Sequence, residues 1–371
     1  MDWRTQVRRP TLVVHPARVR KNIRRMLNKA EESGVLLRPH FKTHQSGEVG
    51  QWFKEGGIHS ITVSSVSMAL YFAARGWRDI TIAFPVNLRE MDDINDLARR
   101  ISLNLLLISG HEAERLSREL VHPAGIWIKT DVGYGRTGIP WENQDEICKL
   151  AGLIRDLPHL EFRGLLTHAG QTYHMHDRKE RAELFGRIRV GLNSLKDAVL
   201  KAGLETCLLS VGDTPGTTAA ADFRGLDEVR PGNFVYFDAQ QLHLGSCSEE
   251  DIAASVACPV VAVHRERNEI VLYGGAVHLS AQAELHPGHP GIKMFGYVVD
   301  SHEDGWGRID PDCYIRSVSQ EHGVARVSPG FLDRVKVGDL LCVIPVHSCL
   351  AVDLLDTAVT TDSQLFALDF S

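Results

Sequence analysis

The sequence predicts an α/β protein: a TIM (β/α)8 barrel with a second, C-terminal all-β domain. Two observations carry this. From residue 34 to about residue 237, short β-branched or apolar runs alternate with longer amphipathic stretches, as strands joined by helical crossovers do. After about residue 245 the texture changes to strand-like runs separated by Pro/Gly-containing loops, with no helical pattern of convincing length. The boundaries this sets are 10–245 for the barrel and 246–371 for the β domain. A further strand at 11–15 is free to join either domain, and a helix over 16–33 closed by Gly34 follows it.

Taken in order, the barrel strands are expected at 34–42, 61–65, 79–84, 104–109, 125–131, 162–168, 206–212 and 229–237. Helical patterns fall between them at 66–75, 88–99, 110–120, 143–157 and 178–202. In the last of these, Leu184, Ile188, Val190, Leu192, Leu195 and Val199 mark roughly an apolar stripe at helical spacing. The final connection is short and rich in Thr, Ala and Gly. Eight strands with helical crossovers fit a closed barrel better than an open doubly wound sheet. In the second domain the strand-like runs are 256–263, 269–273, 293–299, 313–319, 323–327 and 340–344.

Composition narrows the function classes. The 371 residues are 43% hydrophobic and 24% charged, ordinary globular values and enough for two substantial cores. A net charge of -6 leaves no electrostatic footprint for nucleic acid, and no apolar run reaches the ~18 residues of a membrane span. The first residues lack an apolar signal core, and the seven cysteines are dispersed without a CxxC pair. Both point to reduced thiols in a cytoplasmic protein.

In a barrel, chemistry collects at the C-terminal ends of the strands. The first strand ends in Arg38-Pro39-His40-Phe41-Lys42-Thr43-His44, where basic neighbours surround a lysine. Cationic neighbours disfavour an ammonium and favour the neutral amine that imine formation needs. The fifth strand runs into Asp131-Val132-Gly133-Tyr134-Gly135-Arg136 and the sixth into Thr167-His168-Ala169-Gly170-Gln171-Thr172-Tyr173. The seventh ends in Gly212-Asp213-Thr214-Pro215-Gly216, and the eighth begins Arg230-Pro231-Gly232-Asn233. Glycine-rich turns after the last strands are where barrels hold phosphate. An amine, an arginine, a histidine and a phosphate nest together suit pyridoxal 5'-phosphate. Gly133-x-Gly135-x-x-Gly138 also matches the dinucleotide fingerprint. It follows the fifth strand rather than opening the first unit, and Arg136 obstructs a pyrophosphate there, so nicotinamide binding is set aside.

The second domain carries Pro345-Val346-His347-Ser348-Cys349. On an extended segment, residues two apart face the same side, so His347 and Cys349 aim an imidazole and a thiolate together. That is a start for a zinc site; with only two protein ligands the metal keeps open positions and serves as a Lewis acid.

With both constellations in view, the chain resembles the D-threonine aldolase/D-serine dehydratase group of fold-type III pyridoxal-phosphate enzymes, relatives of alanine racemase. The resemblance spans nearly the whole chain. It rests on Arg-Pro-His-x-Lys-Thr at 38–43, Leu-Thr-His-Ala-Gly at 166–170, Arg-Pro-Gly at 230–232, Gln-Glu-His-Gly at 320–323, and His-x-Cys at 347–349. It implies Lys42 as the lysine that joins the cofactor and removes the α-proton. It implies Arg136 at the cofactor phenolate, His168 packed near the ring, Tyr173 facing the pyridine nitrogen, and Thr214, Gly232 and Asn233 at the phosphate. His347 and Cys349 would bind a divalent metal, most like zinc.

In this group the aldolases tend to have an aspartate where Cys349 stands, which points here to elimination. The expected activity is therefore dehydration of a D-3-hydroxy amino acid, such as D-serine or a larger one, to a 2-oxo acid and ammonia. The alternative is retro-aldol cleavage to glycine and an aldehyde. A non-catalytic pyridoxal-phosphate carrier fits less well, because such proteins lack the second domain. The segment Gly274-Gly275-Ala276-Val277-His278-Leu279-Ser280 offers no tyrosine as a second base, which argues against a racemase. Homodimers are usual in the group.

Overall fold

A computed structural model describes residues 2–368, which form two compact units. One comprises Arg24–Lys42 and Gly50–Gly232; the other comprises the chain up to Ile23, Thr43–Val49, and the residues from Asn233 onward.

The first unit is a parallel barrel. Its strands are β1 (Leu36–Leu37), β2 (Ser60–Val63), β3 (Asp79–Pro85), β4 (Ser102–Leu107), β5 (Ala124–Asp131), β6 (Leu160–Thr167), β7 (Leu208–Val211) and β8 (Glu228–Val229). Neighbours run in the order β1-β8-β7-β6-β5-β4-β3-β2, and the parallel bridge between His40 and Thr62 joins the ends into a ring. The predicted barrel class is what the chain adopts. The ring is thus nearly closed, and the two-residue strand Ile139–Pro140 pairs with β5 outside it.

β1 is much shorter than the run 34–42 suggests, and the physical cause is local. Pairing continues past Pro39, with Arg38 N donating to Val229 O at 2.9 Å and His40 N to Pro231 O at 3.0 Å. The chain then bends into a short 3-10 turn, Phe41–Thr43, instead of continuing the strand. Phe41 is fully buried against Phe53, Phe72 and Trp77, with ring centroids 4.9 Å from each. Those contacts anchor the turn that carries Lys42.

Inside the barrel, charge replaces part of the apolar filling. Arg38 donates to Asp79 at 2.6 and 3.0 Å and to Glu228 at 2.7 Å. The guanidinium beside it holds the Asp79 carboxyl below the usual carboxylate range against the opposing effect of burial. Arg38, expected from sequence among the charges crowding Lys42, is thus committed to two carboxylates. The crossover helices include Val66–Ala74, Met91–Arg100, Gly110–Glu119, Gln144–Asp156 and Arg178–Lys201. Gly110–Glu119 opens on a full capping box from Ser109 and Glu112.

In the other unit, Ala254–His264, Glu269–Tyr273, His322–Arg326, Tyr314–Val318, Gly296–His302 and Leu340–Pro345 form a closed antiparallel ring. The N-terminal strand Thr11–Val14 lies in this sheet, antiparallel to Ala254–His264 and parallel to Thr357–Thr360. Among the described residues no helix is long and apolar enough to cross a membrane.

One sequence expectation about this unit fails. The segment holding His347 and Cys349 is not extended: His347 is the N-cap of the helix Ser348–Asp353, and Cys349 lies in its first turn. The strand Leu340–Pro345 ends at a proline, after which Ser-Cys-Leu-Ala-Val suits a helical turn. The alternation argument for two side chains on one face therefore does not apply to this pair.

Candidate active site

Lys42 is exposed in the turn after β1, beyond its C-terminal end. Its charge acts on two imidazoles, His40 and His168. Burial first, then the charges of Lys42 and Arg230, push the His40 pKa well below its usual value. Burial and Arg136 pull His168 down to about 3. The barrel mouth therefore holds a cluster of cations with two imidazoles kept neutral among them. His44, also expected to crowd the lysine, is buried and lowered to about 3, so it adds no charge.

The tautomer of His168 follows from its partner. Its Nδ1 lies 2.6 Å from the Gly212 carbonyl oxygen, which can only accept, so Nδ1 carries the proton. In the neutral ring, Nε2 is then an acceptor. A group that accepts suits packing beside an aromatic ring and does not suit pairing with a phenolate, which needs a donor. The guanidinium of Arg136 carries donors only. The residue is exposed in the loop after β5, with its guanidinium 5.4 Å from the centre of the Tyr134 ring. Tyr134 in turn meets His168 edge-on at 5.8 Å, and Tyr173 lies 6.4 Å from His168 on the other element. The structure thus brings Arg136, His168 and Tyr173 together through Tyr134, a residue the sequence reading passed over. Gly170 makes this possible, because a Cβ there would sit 2.3 Å from the Tyr134 ring.

The loop after β5 also disposes of the dinucleotide fingerprint. Asp131 accepts from the N–H groups of Gly133, Tyr134 and Gly135 at 3.1, 2.9 and 2.9 Å. Amides committed to a carboxylate cannot cradle a pyrophosphate.

At the end of β7, Asp213 caps the short helix Thr214–Ala219, accepting from Gly216 N at 2.5 Å and from Thr172 Oγ1 at 2.8 Å. Burial pushes its pKa up to about 6. Thr214 Oγ1 is buried with no hydrogen-bond partner among the described residues. A buried hydroxyl without a partner costs about 1–3 kcal/mol, which an anion accepting from it would offset. This orphaned donor is the observation that the residues present fit a phosphate group. Gly232 is buried between β8 and the 3-10 helix Asn233–Val235.

Lys129, on β5, was also missed. It is 5% exposed, donates to the Thr130 carbonyl at 3.2 Å, and is lowered to about 7 by burial and then by Arg230 and Arg136. The available signal was a lysine inside the apolar run Gly125-Ile126-Trp127-Ile128.

Asn233 belongs to the other unit. Its Nδ2 donates to Asp238 at 2.6 Å and approaches Ser348 Oγ at 3.3 Å and Cys349 Sγ at 3.8 Å. With its amide hydrogens turned to Asp238, the side chain has only an acceptor oxygen left, so its offer to a phosphate is the backbone N–H. In the same unit, Thr43 Oγ1 and Cys349 Sγ lie 3.2 Å apart, both residues buried. His347 is half-buried, with Nδ1 3.3 Å from Gln240 Oε1. The amide oxygen accepts, so the proton sits on Nδ1, and in a neutral ring the lone pair is on Nε2. A soft thiol with such an imidazole fits a zinc-type ion. Among the described residues no group of three or more His, Cys, Asp or Glu side chains gathers that could hold a metal ion.

Comparison with known proteins agrees with this geometry. The family model for the alanine racemase N-terminal domain matches residues 14–240, and one for a serine dehydratase domain matches 253–361. The D-threo-3-hydroxyaspartate dehydratase of Delftia sp. (strain HT23) is 30% identical over 92% of this chain and 90% of that protein. Its solved structure superposes with a TM-score of 0.90 at 27% identity, covering 99% of this chain and 98% of that one. A variant of that enzyme is described as solved in a metal-free form. The D-serine dehydratase of Dictyostelium discoideum is 26% identical over 96% of this chain and 94% of that protein. The D-threonine aldolase of Arthrobacter sp is 26% identical over 93% and 87%. The chain belongs to the D-threonine aldolase/D-serine dehydratase family of pyridoxal-phosphate-dependent lyases, built on the alanine racemase fold.

Proposed function

We propose that the protein is a pyridoxal 5'-phosphate- and divalent metal-dependent dehydratase that converts a D-3-hydroxy amino acid to a 2-oxo acid and ammonia. One observation carries the reading. Thr43, the residue bonded to Lys42 in the chain, has its hydroxyl 3.2 Å from the sulfur of Cys349. The thiol that would hold the metal is therefore in contact with the residue that follows Lys42 in the chain. Retro-aldol cleavage is the alternative; the cysteine at 349, rather than a carboxylate, favours elimination.

Bound pyridoxal phosphate supplies the electron sink that makes an α-proton removable. Lys42 is the base for that proton and the residue that joins the cofactor. Arg136 would balance the phenolate, the neutral His168 ring would pack beside the cofactor, and Tyr173 would stand on the side of the pyridine nitrogen. The Thr214 hydroxyl and the backbone N–H groups of Gly232 and Asn233 hold the phosphate. A divalent ion on His347 and Cys349, zinc best suiting the pair, supplies Lewis acidity at the leaving hydroxyl. The cofactor-binding domain is read as residues 10–245 and the metal-bearing domain as 246–371, with the N-terminal strand counted in the latter's sheet; by contacts the division falls earlier, between Gly232 and Asn233. We further infer a homodimer in the cytoplasm; the seven free cysteines of the described chain suit a reducing compartment.

The test is direct. Purified protein with zinc is incubated with D-serine, D-threonine or D-threo-3-hydroxyaspartate, and oxo acid, ammonia and glycine are assayed. Oxo acid with ammonia is expected; glycine with an aldehyde would replace this reading by the aldolase. Lys42→Ala should abolish both turnover and the visible absorbance of lysine-bound cofactor. Persistence of that absorbance would remove Lys42 from its role. Light scattering gives the oligomeric state, with two chains expected.

A further inference from the structure

We propose that Asp238 is the positioning residue that sets the geometry of the candidate metal pair, acting on both ligands from one buried carboxylate. The inference rests on the reading of His347 and Cys349 as metal ligands. Asp238 is fully buried. Its Oδ2 accepts from the backbone N–H of Ser348 at 2.9 Å and from Ser348 Oγ at 3.2 Å. Ser348 is the residue between the two ligands, so this bond fixes where the helix Ser348–Asp353 begins and hence where Cys349 stands. The same oxygen accepts from Asn233 Nδ2 at 2.6 Å, and that amide also approaches the Cys349 sulfur at 3.8 Å.

The other oxygen works on the histidine. Oδ1 accepts from Gln241 N at 2.9 Å and thereby caps the short helix Ala239–His243. Gln240 rides on that helix. Its backbone N–H donates to the Val346 carbonyl at 3.2 Å, and its side-chain oxygen meets His347 Nδ1 at 3.3 Å. Orienting partners of this kind raise ligand basicity and fix the tautomer, and losing one typically costs 10- to 100-fold in metal affinity. Asp238 reaches the sulfur side through Ser348 and Asn233, and the imidazole side through Gln240.

Asparagine is an informative replacement because it has one oxygen only. Asp238→Asn can accept from Ser348 and Asn233, or from Gln241, and must present an NH2 to donors on the remaining side. The experiment titrates cofactor-loaded, metal-stripped protein with Co2+, reading the thiolate-to-cobalt charge-transfer band and the d–d bands. Asp238→Asn should bind Co2+ about 10- to 100-fold more weakly, with the charge-transfer band displaced and the cofactor absorbance unchanged. Gln240→Met should weaken binding by about 10-fold and leave the fold intact, and Gln240→Glu should restore it. A mere helix cap would lower thermal stability without moving Co2+ affinity or the spectrum.

If Asp238→Asn does not fold, the Gln240 pair decides: unchanged Co2+ affinity in Gln240→Met overturns the proposal. The controls His347→Ala and Cys349→Ala separate the two levels. If neither weakens Co2+ binding, the metal reading itself falls. If both do, while Asp238→Asn and Gln240→Met bind like the parent, only the role of Asp238 falls.

Discussion

Asp213 is a carboxylate that the fold would rather keep protonated. It is 3% exposed, its Oδ2 has no partner among the described residues, and burial pushes its pKa up to about 6 from 3.8. Between those two values the native chain holds a proton that the unfolded chain has lost. Stability therefore falls as pH rises through that window, and the loss is complete above it. A shift of about 2 units corresponds to about 3 kcal/mol. Asp213→Asn keeps an acceptor for Gly216 N and Thr172 Oγ1 and places its NH2 where the unpartnered oxygen was. In cofactor-free protein, the variant should match the parent near pH 4 and exceed it by up to about 3 kcal/mol at pH 7. Urea denaturation at a series of pH values measures this. Parallel stability curves would show that the carboxylate is not held in the way described.

At the scale of elements, the turn from β7 into the helix Thr214–Ala219 owes its shape to close approach. Gly216 has ordinary backbone angles, yet a Cβ there would lie 2.5 Å from Asp213 Oδ1, the atom that caps the helix. Gly216→Ala must push the cap away. It should cost about 1–3 kcal/mol and loosen the site where Thr214 presents its hydroxyl. Thermal melting reads the first effect and the cofactor dissociation constant the second. A variant as stable as the parent, with unaltered cofactor affinity, would mean that the turn yields freely. Elements of this kind also mark how far the sequence could be read. The barrel strands β3 to β6 follow from apolar runs bounded by turns, because a strand enclosed on both faces is apolar throughout. The run 34–42 is longer than β1 because a β-rich run does not reveal where the chain turns into the 3-10 segment Phe41–Thr43. His347 and Cys349 are drawn on a strand by the sequence but lie at the start of a helix, since nothing local announces that Asp238 accepts the Ser348 N–H. Tyr134, Asp213 and Lys129 went unnoticed for one shared reason. Each gains its meaning from a partner on another strand: His168 for Tyr134, Thr172 for Asp213, Arg230 for Lys129.

Across the whole molecule, the residues proposed for the cofactor and for the metal divide between the two compact units. Lys42, Arg136, His168, Tyr173, Thr214 and Gly232 lie in the barrel unit; His347, Cys349 and the Asp238 network lie in the other, together with Asn233, the one residue of the phosphate set found there. Each set has its own support. The barrel set rests on the Phe41 aromatic cluster and the Arg38 ion pairs, the metal set on Asp238 and on Thr43. Removing the metal takes away only ligands of the second unit and leaves the lysine, the arginine and the orphaned hydroxyl where they are. Treating the holoenzyme with a chelator should therefore abolish turnover of the D-3-hydroxy amino acid while the visible absorbance of lysine-bound cofactor persists. Adding back zinc should restore the rate without new cofactor. Release of cofactor together with metal would mean that the two sets depend on each other for folding, and full activity in metal-free protein would remove His347 and Cys349 from the reaction altogether.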